Sequence, residues 1–415
     1  MAVIKPFKAL RPQKEIASKV ASVPYDVVNR EEAKQLVADN ELSFLRIGRA
    51  EATLDDSVDA YSPEVYKKAK ENLGYLIEKA PLVQDDKPRF YLYQLIMDGR
   101  PQTGIAATFS VDDYENNVIL KHENTRKEKE DDRTNHIVST SAQTGPVFLT
   151  YKGVSKVNEV VDNIINSQEP EYDFTTEDNI SHKIWLLPEE INTVIIDEIK
   201  NVKNLYIADG HHRAASAWRA RNEKRNINPA HNGDEEYNYF LAVLFPAEQL
   251  KILAYNRVVK DSNGQSKEEF LSQISDKFTV EKSDEKEPAE TKTFCMYLDG
   301  EWYKLKARDS IIASNSLSDN IGEKLDVSIL QNFLLNPILD IDDPRTNKRI
   351  DFVGGIRGTK ELEKLVNEGK ASVAFSLHPL SVDDLINISD AGEKMPPKST
   401  WFEPKLRDGL LIHLI

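Results

Sequence analysis

The run at 237–245, YNYFLAVLF, limits the fold more tightly than any other stretch of the chain. It is apolar almost without a break, so it is predicted to be a central strand buried within a sheet. From about residue 104 to 259 other strand-like segments alternate with helical patterns. The expected class is therefore α/β, of the mixed α+β kind, with helices layered on a mixed sheet.

A chain of 415 residues can bury a large core and fill two or three domains or subdomains. Hydrophobic residues make up 40% and charged residues 30%, with a net charge of −15. Coating DNA or RNA requires a basic stripe, so this balance argues against a nucleic-acid-coating surface while leaving room for a small basic pocket. Cys295 is the only cysteine, which excludes an intramolecular disulfide and any cysteine-based zinc cluster. The N-terminus lacks the apolar core of a signal peptide, and no apolar run is long enough to span a membrane. A cytoplasmic protein without membrane partners is expected. The residues give no indication of oligomeric state.

Several elements announce themselves by their end signals. Asn29 and Glu32 form a capping-box pattern for a helix over 30–38. Residues 43–47 read as a strand. Ser62 and Pro63 open a helix with Val65, Tyr66, Ala69, Leu73, Leu76 and Ile77 on its inner face. Asp98-Gly99 and Asp299-Gly300 each join two apolar runs as a hairpin. A helix through Phe270, Leu271, Ile274 and Phe278 follows Ser266, and another covers 326–339 with Val327, Leu330, Phe333 and Leu334 inward. The Gly-rich link 352–358 matches neither Gly-x-Gly-x-x-Gly nor the P-loop spacing.

Three stretches carry chemistry. In the first, NLYIADGHHRAASAWR at 204–219, residues 205–208 read as a buried strand, Asp209-Gly210 as a turn, and the alanines as a helix. Such a junction leaves backbone N–H groups at the positive end of a helix dipole. It could be an ordinary helix start, with Asp209 as N-cap and Arg213 in a salt bridge. Two histidines and an arginine on one turn favour an anion site. The second stretch is His122-Glu123-Asn124-Thr125-Arg126, at the end of a short strand and before a charged segment, 127–132, expected to be a solvated helix. It lacks the second histidine of a zinc-protease motif. The third is MPPKSTWFEPK at 395–405. Its prolines stiffen it, Lys398 followed by two hydroxyls suits phosphate, and Trp401, Phe402 and the apolar end suggest a tail that docks. Tyr25 and Asp26, after Pro24, either reach a ligand or form a turn around a buried tyrosine.

Taken together, Pro24-Tyr25-Asp26-Val27, the HENT segment, DGHHR and the PPKST tail resemble a large bacterial family of domains of unknown function. His-Glu, Asp-Gly-His-His-Arg and Pro-Lys-Ser-Thr are also similar to the motifs of free L-serine kinases in the ParB/sulfiredoxin-like superfamily. That resemblance implies a ParB/sulfiredoxin-like nucleotide-binding core over 101–262. It also implies an N-terminal α/β section over 1–100 and a C-terminal one over 263–415, whose tail at 395–405 returns to the site. It implies phosphoryl transfer from ATP or ADP, with Mg²⁺, to the hydroxyl of free L-serine or a similar small alcohol. Glu123 would be the general base, with Asp209 and His212 as further catalytic residues and Asp209 orienting the metal. Gly210, His211, Arg213 and Lys398 would hold nucleotide phosphates, while Arg126, Ser399 and Thr400 contact substrate. The alternative is a nucleotide-binding switch or nucleotide hydrolase of ParB-like type without amino-acid kinase activity.

Overall fold

The apolar run folds as the strand Tyr239–Pro246, between Val147–Tyr151, to which it runs parallel, and Arg100–Ser110, to which it runs antiparallel. The structure, a computed structural model, describes residues 1–316, 318 and 320–415. Among these residues the chain divides into two units: Met1–Lys121, Thr125–Leu250 and Pro404–Ile415 form the first, and His122–Asn124 with Lys251–Glu403 the second.

The first unit is built on a mixed sheet. Its strand order is Ile119–Leu120, Leu205–Asp209, Val147–Tyr151, Tyr239–Pro246, Arg100–Ser110, Tyr91–Met97, Ser181–Leu186 and Tyr172–Thr175, with Ile4–Lys5 added beside Arg100–Ser110. Period-two alternation gives the central strand two buried faces. Phe240, Ala242 and Leu244 join a core that includes Val157, Ile195, Ala214 and Ala217 from helices. On the other face Phe245 stands against Phe148, ring centroids 4.5 Å apart. The fold is thus mixed α/β, as expected. A smaller core, with Phe44, Ile47, Val65, Leu73 and Leu76, ties the N-terminal helices together and takes in Ile412 from the end of the chain.

The local signals hold at most helix starts. Asn29 and Glu32 make the full capping box of the helix Arg30–Ala38, and Pro63 opens Pro63–Lys79. Ile77 is 41% exposed rather than inward, because the buried stripe of that helix runs through Tyr66, Ala69, Leu73 and Leu76 and leaves Ile77 past its edge. Residues 43–47 are not a strand: Leu45–Gly48 is a helical turn. Phe44, Leu45 and Ile47 are all buried, which a short helix achieves as readily as an extended run. The charged segment is also less solvated than its composition suggests. It belongs to the helix Lys127–Thr140, which buries Asp132, Thr134, His136 and Ile137. Asp132 is held there by Arg133 and by the Tyr66 hydroxyl at 3.2 Å.

The second unit carries an antiparallel sheet ordered Phe278–Lys282, Glu301–Ala307, Thr293–Leu298, Val373–Leu377, Tyr255–Val259 and Ile350–Gly354. Its Asp-Gly hairpin pairs Leu298 with Glu301, as the turn signal predicts. Phe278 heads a strand instead of closing the preceding helix, which stops at Ser275. Over 326–339 the α-helix lasts only from Asp326 to Leu330 and continues as a wider π turn, Gln331–Leu335, leaving Phe333 half-buried. The tail docks: Trp401–Phe402 pairs with Ile252–Leu253.

Candidate functional site

In the first unit the strand Leu205–Asp209 ends at Gly210, whose φ of +90° turns the chain into the helix His211–Ile227. Glycine takes that conformation without the strain a side chain would bring, while the space beside it would admit a Cβ at ordinary contact distance, 3.4 Å from the Val147 backbone. Antiparallel pairing of Asp209 with Phe148 sets the turn beside Gly145 and Pro146. A narrow hollow of about 20 Å³ forms there, lined by Asp26, Pro146, Asp209, Gly210, Arg213 and Lys405.

The Asp209 carboxylate is doubly engaged. Oδ1 accepts the Gly210 N–H at 2.9 Å, and Oδ2 accepts from Lys405 Nζ at 2.6 Å. Burial works against its charge, but Lys405, Arg213 and the Gly210 amide outweigh burial and hold it below the usual carboxylate range.

Arg213 points inward. It donates to Pro146 O at 3.0 Å and pairs with Asp408 at 3.1 Å, side chains 14% and 5% exposed. Burial opposes its charge, yet Asp408, Asp26, Tyr25 and Asp209 raise its pKa overall. Burial likewise pushes the Asp408 carboxyl up to about 6 against the pull of Arg213. Tyr25 is buried beside two guanidinium groups, with Arg133 4.1 Å and Arg213 5.5 Å from its ring centre. Gly145 makes this possible: a Cβ would come 2.4 Å from Asp408 Oδ1 and 2.5 Å from Arg213 Nη1. Of the neighbouring pair, then, Tyr25 is the buried aromatic and Asp26 the residue that lines the hollow.

His211 is buried, and His212 is half-buried. His212 Nε2 accepts the backbone N–H of Arg126 at 3.1 Å, so it stabilises the open N-terminus of the helix Lys127–Thr140 and, when neutral, carries its proton on Nδ1. Arg126 itself is exposed at the N-cap of that helix.

The second unit brings two other motifs together. His122 is 2% exposed; its carbonyl accepts the Met395 N–H at 2.8 Å, and its Nε2 lies 3.3 Å from the Thr400 hydroxyl. Glu123 is half-buried beside it in the chain. Ser399 is buried and donates to Pro396 O at 2.6 Å, closing a tight turn in which Lys398 has a φ of +56°. Arg257 holds that turn from beneath, donating from Nη2 to Lys398 O at 3.0 Å. Lys398 is exposed, its Nζ 5.5 Å from the centre of the Tyr255 ring. Trp401 packs edge-on against Tyr255, centroids 5.1 Å apart. Its indole also covers Gly354, where a Cβ would fall 2.7 Å from the ring. The Gly-rich link therefore has a packing reason for its first glycine.

Lys405, Asp408 and Gly145 were not visible as site residues in the sequence. The available signal was a charged cluster, Glu403, Lys405, Arg407 and Asp408, just before the apolar run at 410–412. Among the described residues no three His, Cys, Asp or Glu side chains converge as a metal cage. Mg²⁺ bound through one or two carboxylates and substrate phosphates needs no such cage; the carboxylates that could hold it on this hollow are Asp26 and Asp209, the latter already engaged by Gly210 and Lys405. No helix of the described residues is long and apolar enough to cross a membrane.

No curated protein matches the chain. Solved structures resemble it distantly. A conserved hypothetical protein from Pyrococcus furiosus aligns over 75% of this chain and 95% of its own, at 12% identity and a TM-score of 0.36. A free serine kinase in complex with AMP aligns over 72% and 86%, at 10% identity and 0.34. SbnI with C-terminal truncation, from Staphylococcus aureus, aligns over 74% and 87%, at 12% identity and 0.39. The family model described as a protein of unknown function, DUF1015, matches residues 4–328, and the chain belongs to that family.

Proposed function

We propose that the protein is a small-molecule kinase that transfers a phosphoryl group from ATP or ADP to the hydroxyl of free L-serine or a similar small alcohol. The observation that carries the reading is the meeting of two motifs 278 residues apart, where His122 Nε2 lies 3.3 Å from the Thr400 hydroxyl. A His-Glu segment beside a Lys-Ser-Thr turn supplies a carboxylate, a cation and hydroxyls, the set phosphoryl transfer to an alcohol needs. In this reading the nucleotide phosphates fall to the turn at Asp209, which offers a helix N-terminus and the ammonium of Lys405.

In this reading the substrate oxygen attacks the terminal phosphorus and the P–O bond to the leaving nucleotide breaks. The hydroxyl proton passes to Glu123. The protein contributes alignment and positive charge, because the transferring group spreads its charge over its oxygens. Lys398 offsets that charge, Ser399 and Thr400 position the acceptor or the phosphate, and Arg126 takes the substrate carboxylate. Gly210 and His211 offer the helix N-terminus to the nucleotide, and Arg213, fixed by Asp408, keeps that turn in shape. His212 serves through its bond to the Arg126 amide. Asp209 would hold Mg²⁺, which when bound neutralises phosphate charge.

The test is incubation of the full chain with Mg²⁺, ATP or ADP, and a panel of hydroxylated amino acids, followed by mass detection of products. A phospho-amino acid that disappears in Glu123→Gln is expected. Free phosphate alone would mark a hydrolase or switch instead. A Glu123→Gln protein with full turnover would remove the base assignment.

A further inference from the structure

A second hollow in the first unit, of about 360 Å³, is far larger than the one beside Asp209 and falls in the range of small-molecule sites. On its wall sits Arg407, only 4% exposed. Its guanidinium is built in. Nε donates to His182 Nε2 at 3.2 Å, and Nη2 donates to Thr176 Oγ1 at 3.2 Å and to Asp178. Arginine can only donate, so His182 Nε2 accepts. The neutral ring then carries its proton on Nδ1, 2.9 Å from the Tyr93 oxygen. Burial, then the nearby Arg407 charge, holds the His182 pKa down at about 3, so this support stays neutral.

Two of the three guanidinium nitrogens are thereby fixed. The third, Nη1, has no hydrogen-bond partner among the described residues. A nearly buried cation locked in place with one donor unused, on the wall of a hollow, is a ready seat for a carboxylate. The rest of the wall says which carboxylate. Asp178 and Glu177 also line the hollow, so a phosphate dianion would meet repulsion, whereas an ammonium next to the carboxylate would be welcomed. Val23, Leu36 and Leu45 form an apolar patch beside the hydroxyl and amide side chains of the remaining wall, Ser43, Asn40 and Thr175 among them.

We propose that this hollow binds an α-amino acid with an apolar side chain, its carboxylate on Arg407 Nη1, its ammonium on Asp178 and Glu177, and its side chain against Leu36 and Leu45. The adjacent opposite charges of Arg407 and Asp178 match the adjacent opposite charges of a zwitterion. This site is separate from the kinase reading and does not depend on it.

The test is calorimetric titration of the full chain with L-leucine, L-phenylalanine, leucinamide, which lacks the carboxylate, and 4-methylpentanoate, which lacks the ammonium. Leucine or phenylalanine should bind, and both truncated analogues should bind at least about tenfold more weakly. Leu36 is 48% exposed, so Leu36→Trp can fill the hollow without disturbing a core, and should abolish binding. Arg407→Gln should do the same; if that variant does not fold, Leu36→Trp carries the decision. No binding of either amino acid up to about 10 mM, undiminished affinity in Leu36→Trp, or equal affinity for leucinamide would each overturn the proposal.

Discussion

Lys405 places its Nζ 2.6 Å from Oδ2 of Asp209, across 196 residues of sequence. The tail of the first unit thereby supplies a cation to the turn that the Asp-Gly-His-His-Arg motif forms. Arg213, the cation the motif itself carries, is committed to Asp408. Lys405 is then the lysine that offsets Asp26 and Asp209 on the hollow they share.

Replacing Lys405 with methionine leaves two carboxylates on that hollow beside an arginine already paired. Nucleotide affinity is expected to fall about tenfold or more, roughly 1.4 kcal/mol, while Lys405→Arg keeps most of it. Titration with a fluorescent ADP analogue measures both. Equal affinity in Lys405→Met would remove this hollow from the phosphate site.

Gly145 tests the same network sterically. A methyl group at that position would have to displace the buried Arg213–Asp408 pair, which stands 2.4–2.5 Å from the added Cβ. Separating buried ionic partners is costly, so Gly145→Ala should lose about 2–4 kcal/mol in urea unfolding. Gly74 is the contrast. It lies within the helix Pro63–Lys79, and a Cβ there meets nothing within 4 Å, so Gly74→Ala should gain about 0.5–1 kcal/mol. A neutral Gly145→Ala would show that the pair is loosely held.

What the sequence made legible follows from how local the physics is. The strand–Gly–helix junction at Asp209 and the capping box at Asn29 are set by neighbours in sequence, and both are found as expected. The motifs announced chemistry for the same reason: unusual residues stood side by side. The roles within them were not legible. That Arg213 would turn inward depends on Asp408 and on the absence of a side chain at Gly145, partners far away in the chain. His212 bonding the Arg126 amide links two motifs through a helix end, a contact that neither motif encodes alone. Residues 43–47 failed because three buried apolar residues in five satisfy a helical turn as well as a strand.

His136 makes acid sensitivity testable. It is 3% exposed, its Nε2 lies 3.1 Å from Ile47 O, and burial, reinforced by Arg133, lowers its pKa to about 3. Between that value and the ordinary 6.5 the unfolded chain binds a proton that the fold excludes. The stability is therefore present in full above pH 6.5 and is lost as pH falls toward 3. At pH 5 the loss from this one group is about 2 kcal/mol. His136→Gln keeps a donor for Ile47 and does not titrate, so the drop in unfolding free energy between pH 7.5 and 5.0 should be smaller in the variant by about that amount. Identical drops would mean that His136 is protonated in the folded protein.

The Gly-rich link in the second unit offers a choice between packing and ligand binding that a double-mutant cycle can settle. Gly354 ends the strand Ile350–Gly354 directly under the Trp401 indole, so an added Cβ must push the ring away. Gly354→Ala should cost about 1–3 kcal/mol in the parent protein. Removing the ring first opens the space, so the same change in a Trp401→Ala background should cost little, a coupling of about 1–2 kcal/mol. A glycine kept for close approach of a phosphate would behave differently: Gly354→Ala would weaken nucleotide binding equally with or without Trp401, and the stability terms would simply add. Coupled stabilities with unchanged nucleotide affinity are the expected result, because the structure gives this glycine a neighbour that already fills the space a ligand would need.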